Sequence, residues 1–219
     1  MIFLDILVNG YMYPFVNQDV LAATLPHLSL LSIFTYGITS EGDLIPIDDE
    51  SLIEAARQNG VVPLMVLAAM DAEGNFDSQI ASDMLNNPEA RERLIENILN
   101  TIRAKNLGGV DFDFEFLYAE DREAYASFVD QTRQRLNPEG YIVAVALAPK
   151  TYAEQPGLLY ESHDYGLMGQ EANLVLLMTY EWGYRFGPPM AVAPVDQVRR
   201  VLDYGITEID PSKLLMGIP

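Results

Sequence analysis

Residues 108–116 read Gly108-Gly109-Val110-Asp111-Phe112-Asp113-Phe114-Glu115-Phe116, a run in which acidic and apolar side chains alternate. Because side chains on a β-strand point to opposite faces in turn, Asp111, Asp113 and Glu115 share one face, with about 6.6 Å between successive positions. A helical pattern lies on each side of this run. We therefore expect a central strand of a parallel sheet, with its apolar face under helices, rather than a hairpin strand with a solvated acidic face.

The same alternation of strand and helix extends along the whole chain. The helical pattern before the acidic strand, for example, has Asn87 as its expected N-cap and Pro88 at its first position. The predicted strands, each rich in Val, Ile, Leu or Phe, are Ile2–Val8, Leu28–Tyr36, Val61–Ala68, Gly109–Leu117, Tyr141–Ala148, Asn173–Tyr180 and Lys213–Ile218. Strands joined by helices in this way predict an α/β fold with a parallel sheet, either an open doubly wound sheet or a (β/α)8 barrel.

Two absences refine this fold prediction. No G-x-G-x-x-G motif follows the first predicted strand, which disfavours a nucleotide-binding open sheet. No linker or low-complexity stretch divides residues 1–219, so we expect one domain.

Composition limits the classes of protein to consider. Of 219 residues, 49% are hydrophobic and 21% are charged, which excludes a disordered chain. The 32 acidic and 13 basic residues give a formal charge of −19. So negative a surface repels phosphate backbones and anionic lipids, and no apolar run approaches the roughly 18 residues that span a bilayer, so we expect neither nucleic-acid binding nor membrane insertion. The absence of cysteine excludes disulfides, thiolate metal sites and cysteine nucleophiles.

The acidic face of the central strand is the strongest candidate for chemistry. Three carboxyl groups this close on an interior face repel one another and are poorly hydrated, so at least one should hold a proton at neutral pH. A protonated acid beside a charged one can perform general acid catalysis, and Glu115 lies nearest the carboxyl end of the strand, where barrel active sites lie. The rival is a Ca²⁺ or Mg²⁺ site. Carboxylates about 6–7 Å apart on one rigid strand cannot all reach one ion at about 2.3 Å, so we predict no metal site.

The acidic strand resembles the D-x-x-D-x-D-x-E signature of glycoside hydrolase family 18, the chitinase-like enzymes. Asp111, Asp113 and Glu115 match its last three acids, and Gly108 stands where the first acid usually is. A second stretch, 178–181, reads Met-Thr-Tyr-Glu and resembles the family's M-x-Y-D, with a glutamate in place of the aspartate.

Three further stretches resemble the spore-germination and cortex-lytic branch of this family: Tyr184–Pro194, Val201–Tyr204 and Leu214–Pro219. The resemblance implies a (β/α)8 TIM barrel, of which residues 1–219 would supply about seven strands, so the chain is expected to be a piece of a longer domain. It also implies a monomer without a cofactor that acts outside the cell, in the cell wall or on the spore.

The resemblance implies a hydrolase of β-1,4 bonds that follow N-acetylglucosamine in peptidoglycan, by a retaining, substrate-assisted mechanism. Glu115 would protonate the leaving oxygen, and the acetamide of the sugar would attack the anomeric carbon. Asp113 would orient the acetamide, Asp111 would relay charge behind it, and Tyr180 would donate a hydrogen bond to it.

The resemblance also implies a set of substrate-binding residues: Tyr36 and Met178 around the reacting sugar, and Glu181 beside it. From the residues alone, Glu181 has an alternative role as a covalent nucleophile about 5 Å from Glu115. Trp182, the only tryptophan, either stacks on a sugar ring or packs under the following loop.

Two other functions remain open from the sequence. One is hydrolysis of chitin or its oligosaccharides, and the other is a non-catalytic module that binds N-acetylglucosamine glycans. Lectin-like relatives of the family have usually lost the glutamate that this chain keeps as Glu115, which favours an enzyme.

Overall fold

The computed structural model describes residues 6–187 and 189–219. Its main feature is a curled parallel sheet with helices packed against its outer face. Its strands are β1 (Asn9–Met12), β2 (Leu30–Ile38), β3 (Leu44–Ile45), β4 (Val62–Ala68), β5 (Gly109–Asp113), β6 (Ile142–Leu147), β7 (Leu174–Leu177) and β8 (Leu214–Met216). Its α-helices are α1 (Gln18–Thr24), α2 (Glu50–Gln58), α3 (Ser78–Asn86), α4 (Pro88–Lys105), α5 (Arg122–Leu136), α6 (Tyr165–Glu171) and α7 (Val195–Glu208). Short 3₁₀ helices cover Leu25–His27, Ala119–Asp121, Asn137–Glu139 and Pro211–Lys213.

The strands lie in the sheet in chain order, β1-β2-β4-β5-β6-β7-β8, each parallel to its neighbour, while β3 pairs antiparallel with the end of β2. This order confirms the predicted parallel α/β fold. Among the described residues no ladder joins the edge strands β1 and β8, so they do not themselves form a closed barrel. Residues of both edges nevertheless line one groove of about 580 Å³, which shows how far the sheet curls.

The two faces of β5 face opposite surroundings, as the alternating sequence predicts. On the outer face, Phe112 lies against Phe128 of α5 with ring centroids 5.2 Å apart, and Phe114 stacks on Tyr125 at 5.4 Å. All four rings are fully buried. The inner face carries Asp111 and Asp113, so the acidic side chains point toward the concave side of the sheet.

The strand ends differ from the prediction most at β5. The ladder stops at Asp113 rather than at Leu117, so Glu115 lies on the segment that leaves the sheet. Phe116 has a φ of 56°, which ends the alternation of faces, and its ring meets Phe76 edge-on at 5.6 Å. The sequence pattern runs on past this point because the phenylalanines continue it.

The first strand is also placed differently. Residues 2–5 of the predicted strand lie outside the described residues, and residues 6–8 are not in a strand. The ladder begins at Asn9, which pairs with Leu30. Ile6 is 81% exposed, so its apolar character marks no buried strand.

Helix α4 leads directly into the acidic strand and has the ends that the sequence predicts. The Asn87 side chain accepts hydrogen bonds from the backbone of Glu89 and Ala90, and Pro88 occupies the first turn. Asn106, in the left-handed conformation, ends the helix. Among the described residues, no helix is both long and apolar enough to cross a membrane.

Candidate active site

A cavity of about 250 Å³ opens at the carboxyl ends of the strands, where active sites of parallel α/β folds lie. Five strands or the segments that follow them contribute to its wall. The lining residues are Tyr11, Met12, Tyr13, Phe34, Asp113, Glu115, Ala146, Leu176, Met178, Tyr180 and Glu181. The sequence-predicted Asp113, Glu115, Met178, Tyr180 and Glu181 are thus brought together.

Asp111 is the most buried of the three acids; it is not among the residues that line the cavity, and side chains of the first two strands hold it. It is 1% exposed, and its Oδ2 accepts hydrogen bonds from the Tyr11 hydroxyl at 2.6 Å and the Ser32 hydroxyl at 2.8 Å. The Asn9 amide in turn donates to Ser32 Oγ at 2.9 Å. Burial raises the pKa of Asp111, although these hydrogen bonds oppose the rise.

Asp113 is the most strongly perturbed carboxyl group of the row. It is 5% exposed, and its Oδ1, like that of Asp111, accepts no hydrogen bond from the described residues. Burial, followed by the charges of Glu115, Asp111 and Glu181, holds the pKa of Asp113 well above its usual range. Burial beside acidic neighbours, with one oxygen unpartnered, therefore favours the protonated form of Asp113.

Glu115 has the pKa of a general acid. It is partly buried, and burial together with the charge of Glu181 raises its pKa to about 7. No lysine or arginine of the described residues lines the cavity to lower that value. A carboxyl group that is about half protonated near neutral pH can both give and take a proton during turnover.

The segment after β7 supplies the opposite wall. The Met178 backbone donates to the Leu147 carbonyl at 2.9 Å, and Glu181 takes a φ of 66°, which turns the chain across the mouth of the cavity. Burial and the nearby carboxylates raise the pKa of Tyr180, so its hydroxyl stays protonated and can donate a hydrogen bond.

A second, smaller cavity of about 120 Å³ lies on the other side of Glu115. It shares Glu115, Met178, Tyr180 and Glu181 with the larger cavity and adds Pro149, Leu159, Tyr160 and Trp182. Trp182 is therefore beside the acid, and it is also packed partly against the core. Both of the alternatives that the sequence left for this residue, sugar stacking and packing under the loop, have a surface available. Pro188 of that loop lies outside the described residues.

The structure corrects the prediction that Tyr36 binds substrate. Its side chain is buried away from both cavities, its hydroxyl donates to Asp49 at 2.6 Å, and Lys105 lies over its ring at 5.5 Å. The ladder between β2 and β4 shifts register between Ile33 and Tyr36, so strict alternation of faces fails there. Phe34 is the aromatic residue of β2 that lines the larger cavity.

Sequence analysis missed three residues that hold this site. Tyr11 and Ser32 donate hydrogen bonds to Asp111, and His163 binds the carbonyl of Phe114, which lies between Asp113 and Glu115 in the sequence. A lone serine within the apolar run of β2 was the one available signal. Within residues 6–187 and 189–219, no three His, Asp or Glu side chains are grouped as metal ligands.

Comparison with known proteins shows the family of this chain. The model of glycosyl hydrolases family 18 matches residues 65–219. The cortical fragment-lytic enzyme of Bacillus subtilis is 34% identical over 97% of this chain and 51% of its own length, and the chain spans about half the length of the curated relatives it matches.

Solved structures agree. The crystal structure of the Bacillus cereus spore cortex-lytic enzyme SleL superposes with a TM-score of 0.91 at 33% identity, covering 96% of this chain and 50% of that one. A chitinase from Chromobacterium violaceum shares the fold, with a TM-score of 0.91 at 20% identity over 97% of this chain and 68% of its own. The resemblance noted from the acidic strand is thereby confirmed, and the chain belongs to glycosyl hydrolase family 18.

Proposed function

We propose that this chain is a glycoside hydrolase that cleaves β-1,4 bonds after N-acetylglucosamine in spore-cortex peptidoglycan. One observation carries the proposal: Glu115, whose pKa is raised to about 7, faces the same cavity as the hydroxyl of Tyr180 and as Asp113, whose pKa is raised well above its usual range. Family membership agrees with it. The names of two relatives, a cortical fragment-lytic enzyme and a spore cortex-lytic enzyme, support cortex as the substrate.

The proposed reaction retains configuration and uses the substrate as its own nucleophile, as the family is known to do. Glu115 gives its proton to the glycosidic oxygen while the bond from that oxygen to the anomeric carbon breaks. The acetamide oxygen of the same sugar forms a new bond to that carbon, which gives an oxazolinium ion. Water then attacks the anomeric carbon, its proton returns to Glu115, and the acetamide is released.

The remaining residues of the site would position the acetamide or bound the substrate. The proton held by Asp113 passes to Asp111, which Tyr11 and Ser32 hold in place, so that Asp113 becomes a carboxylate. That carboxylate accepts a hydrogen bond from the acetamide N–H and is the counter-charge for the oxazolinium. The Tyr180 hydroxyl donates to the acetamide oxygen and aims it. Met178 and Phe34 would bound the sugar, with Glu181 beside it and Trp182 on the wall of the smaller cavity.

The wider expectations from the sequence stand as part of the proposal. We infer that the curled sheet is part of a (β/α)8 barrel, as its likeness to SleL supports. Its place of action would be the spore or the cell wall.

The test is a product analysis by mass spectrometry with spore-cortex glycan and, separately, chitohexaose. Glu115→Gln should lower turnover on the order of 10³-fold and leave oligosaccharide binding intact, because the amide keeps the shape and loses the proton. Glu120→Gln, at an exposed carboxylate outside both cavities, is the matched control.

Each outcome has a definite meaning. Products from cortex that disappear with Glu115→Gln support the proposal, and products from chitohexaose alone would make the chain a chitinase. Binding without products in the unmodified chain would make it a glycan-binding module and contradict the proposal. If a plain glucoside were cut as fast as the acetamido sugar, the substrate-assisted step would be wrong.

A further inference from the structure

His163 lies at the back of the site and uses both nitrogens of its ring. It is fully buried, its Nδ1 accepts a hydrogen bond from the Ala148 backbone at 2.8 Å, and its Nε2 lies 2.9 Å from the Phe114 carbonyl oxygen. Because Nδ1 is an acceptor, the ring proton must be on Nε2, which donates to that oxygen. Burial lowers the pKa of His163 to about 4, in keeping with a neutral ring.

The two backbone groups that His163 joins, the Phe114 carbonyl and the Ala148 N–H, lie one residue past the ends of the neighbouring strands β5 and β6. The last paired residues of β5 and β6 are Phe112 and Val145. Within the described part of the chain, no ladder pair joins the two strands past this point, and their next residues, Asp113 and Ala146, both line the larger cavity. The imidazole fills the gap and supplies one cross-strand link, from Ala148 to Phe114, where main-chain bonds no longer reach.

This link acts on the backbone that carries Glu115. The Phe114 carbonyl and the Glu115 amide are two ends of one planar peptide group. A hydrogen bond that fixes the carbonyl therefore fixes the orientation of the plane, and with it the direction in which the Glu115 side chain leaves the backbone. Beyond Asp113, no ladder bond among the described residues does this.

The histidine itself is firmly anchored. Its backbone N–H donates to the Tyr160 carbonyl at 3.1 Å, and its carbonyl accepts from Lys150 Nζ at 2.9 Å. The next residue, Asp164, caps α6 through its side chain. Tyr160 lines the smaller cavity, so His163 connects the peptide before Glu115 with the wall of that cavity.

We propose that His163 is a positioning residue, which holds the peptide before Glu115 in the orientation that aims the acid at the bond to be cleaved. The proposal rests on the proposed function of Glu115. It assigns to a residue 49 positions away from Phe114 in sequence a role in the geometry of the acid.

Two substitutions separate the two hydrogen bonds. In His163→Gln the amide nitrogen can occupy the place of Nε2 and donate to Phe114, but nothing replaces Nδ1. In His163→Asn the amide oxygen can replace Nδ1 and accept from Ala148, but the side chain is too short to reach Phe114. Both variants lose one buried hydrogen bond, so we expect similar losses of thermal stability.

The kinetic outcomes should differ. His163→Asn should lower kcat on the order of 10²-fold with little change in KM, because a misplaced acid affects the transition state more than substrate binding. His163→Gln should recover most of that loss. His27→Asn, at the other and exposed histidine, is the control. Equal losses of kcat in the Asn and Gln variants, or an unchanged kcat in His163→Asn, would overturn the proposal.

A spectroscopic measurement keeps the proposal testable if His163→Asn does not fold. Nitrogen NMR of the unmodified chain should report a neutral ring protonated at Nε2 at pH 7, with slow exchange of that proton. A charged ring, or one protonated at Nδ1, would refute the positioning role. This readout needs no turnover, so an inactive chain with the expected ring would refute the proposed hydrolase and leave the geometry of the link intact.

Discussion

Glu181 adds to the effect of burial on the pKa of Glu115. Burial raises the pKa of Glu115 first, and the charge of Glu181 raises it further. Glu115 must be protonated to start the proposed reaction, so activity should fall as pH rises through about 7. The other titratable groups that line the cavity are two carboxyl groups, of Asp113 and Glu181, and three tyrosine hydroxyls, of Tyr11, Tyr13 and Tyr180, and no described cation lines it.

Glu181→Gln should therefore move the alkaline limb of the kcat profile to lower pH. Removing a negative charge stabilises the ionised form of Glu115, which lowers its pKa and leaves less of it protonated at pH 7. The profile is measured from pH 4 to pH 9, with exposed Glu154→Gln as the control. An alkaline limb that does not move would show that burial alone sets the pKa, and a total loss of turnover at every pH would favour the nucleophile role for Glu181.

Single residues also show how far the sequence can be read. Alternation along one strand was sufficient to group Asp111 with Asp113, because neighbours on a strand face need no information from elsewhere. Tyr36 was misplaced because a register shift between strands leaves no trace in the spacing of side chains. His163 was missed because its partner Phe114 is distant in the sequence and contributes only a carbonyl.

At the level of elements, α4 sets the entry into the acidic strand. Asn87→Ala removes the side chain that accepts from the first turn and should lower the free energy of unfolding by about 1 kcal/mol. Asn100→Ala, at an exposed position within the same helix, should raise it by a few tenths of a kcal/mol, because alanine is the better helix former.

Chemical denaturation of the two variants compares the same substitution at two places in one helix. If both lowered stability equally, the side-chain cap at Asn87 would contribute nothing to stability.

Helix ends of this kind can be predicted from sequence because their signals are local. The end of β5 could not be predicted in this way, because it depends on where pairing with the neighbouring strands stops. The phenylalanines that continue the alternating pattern lie beyond that point.

Over the whole molecule, the row of carboxyl groups reduces stability. The apolar frame around them buries groups that are charged at neutral pH in an unfolded chain, where the pKa values of Asp and Glu are about 3.9 and 4.3. In the folded chain the pKa values of Asp111, Asp113 and Glu115 are all raised. The arrangement that makes Glu115 an acid near neutral pH therefore costs folding free energy at that same pH.

Linkage gives this cost a pH dependence. Groups with raised pKa values bind more protons in the folded state, so their contribution to stability is fully present below about pH 4 and is lost as pH rises through the folded values, about 7 for Glu115. His163 has the opposite sign. Its pKa is lowered to about 4, so its contribution is present above about pH 6.5 and is lost as pH falls.

Asp113→Asn isolates the carboxyl contribution, because His163 is unchanged in both proteins and cancels in their difference. The variant should gain stability over the unmodified chain steadily as pH rises from 4 to 8, since the amide, unlike the buried carboxyl, needs no proton to stay uncharged in the folded state. Urea unfolding at a series of pH values measures this difference. Asp203→Asn, which removes the same charge at an exposed position of α7, should give a nearly constant difference. If the Asp113→Asn difference were equally flat, the buried carboxyl groups would carry no folding cost, and the acidity of Glu115 would need another cause.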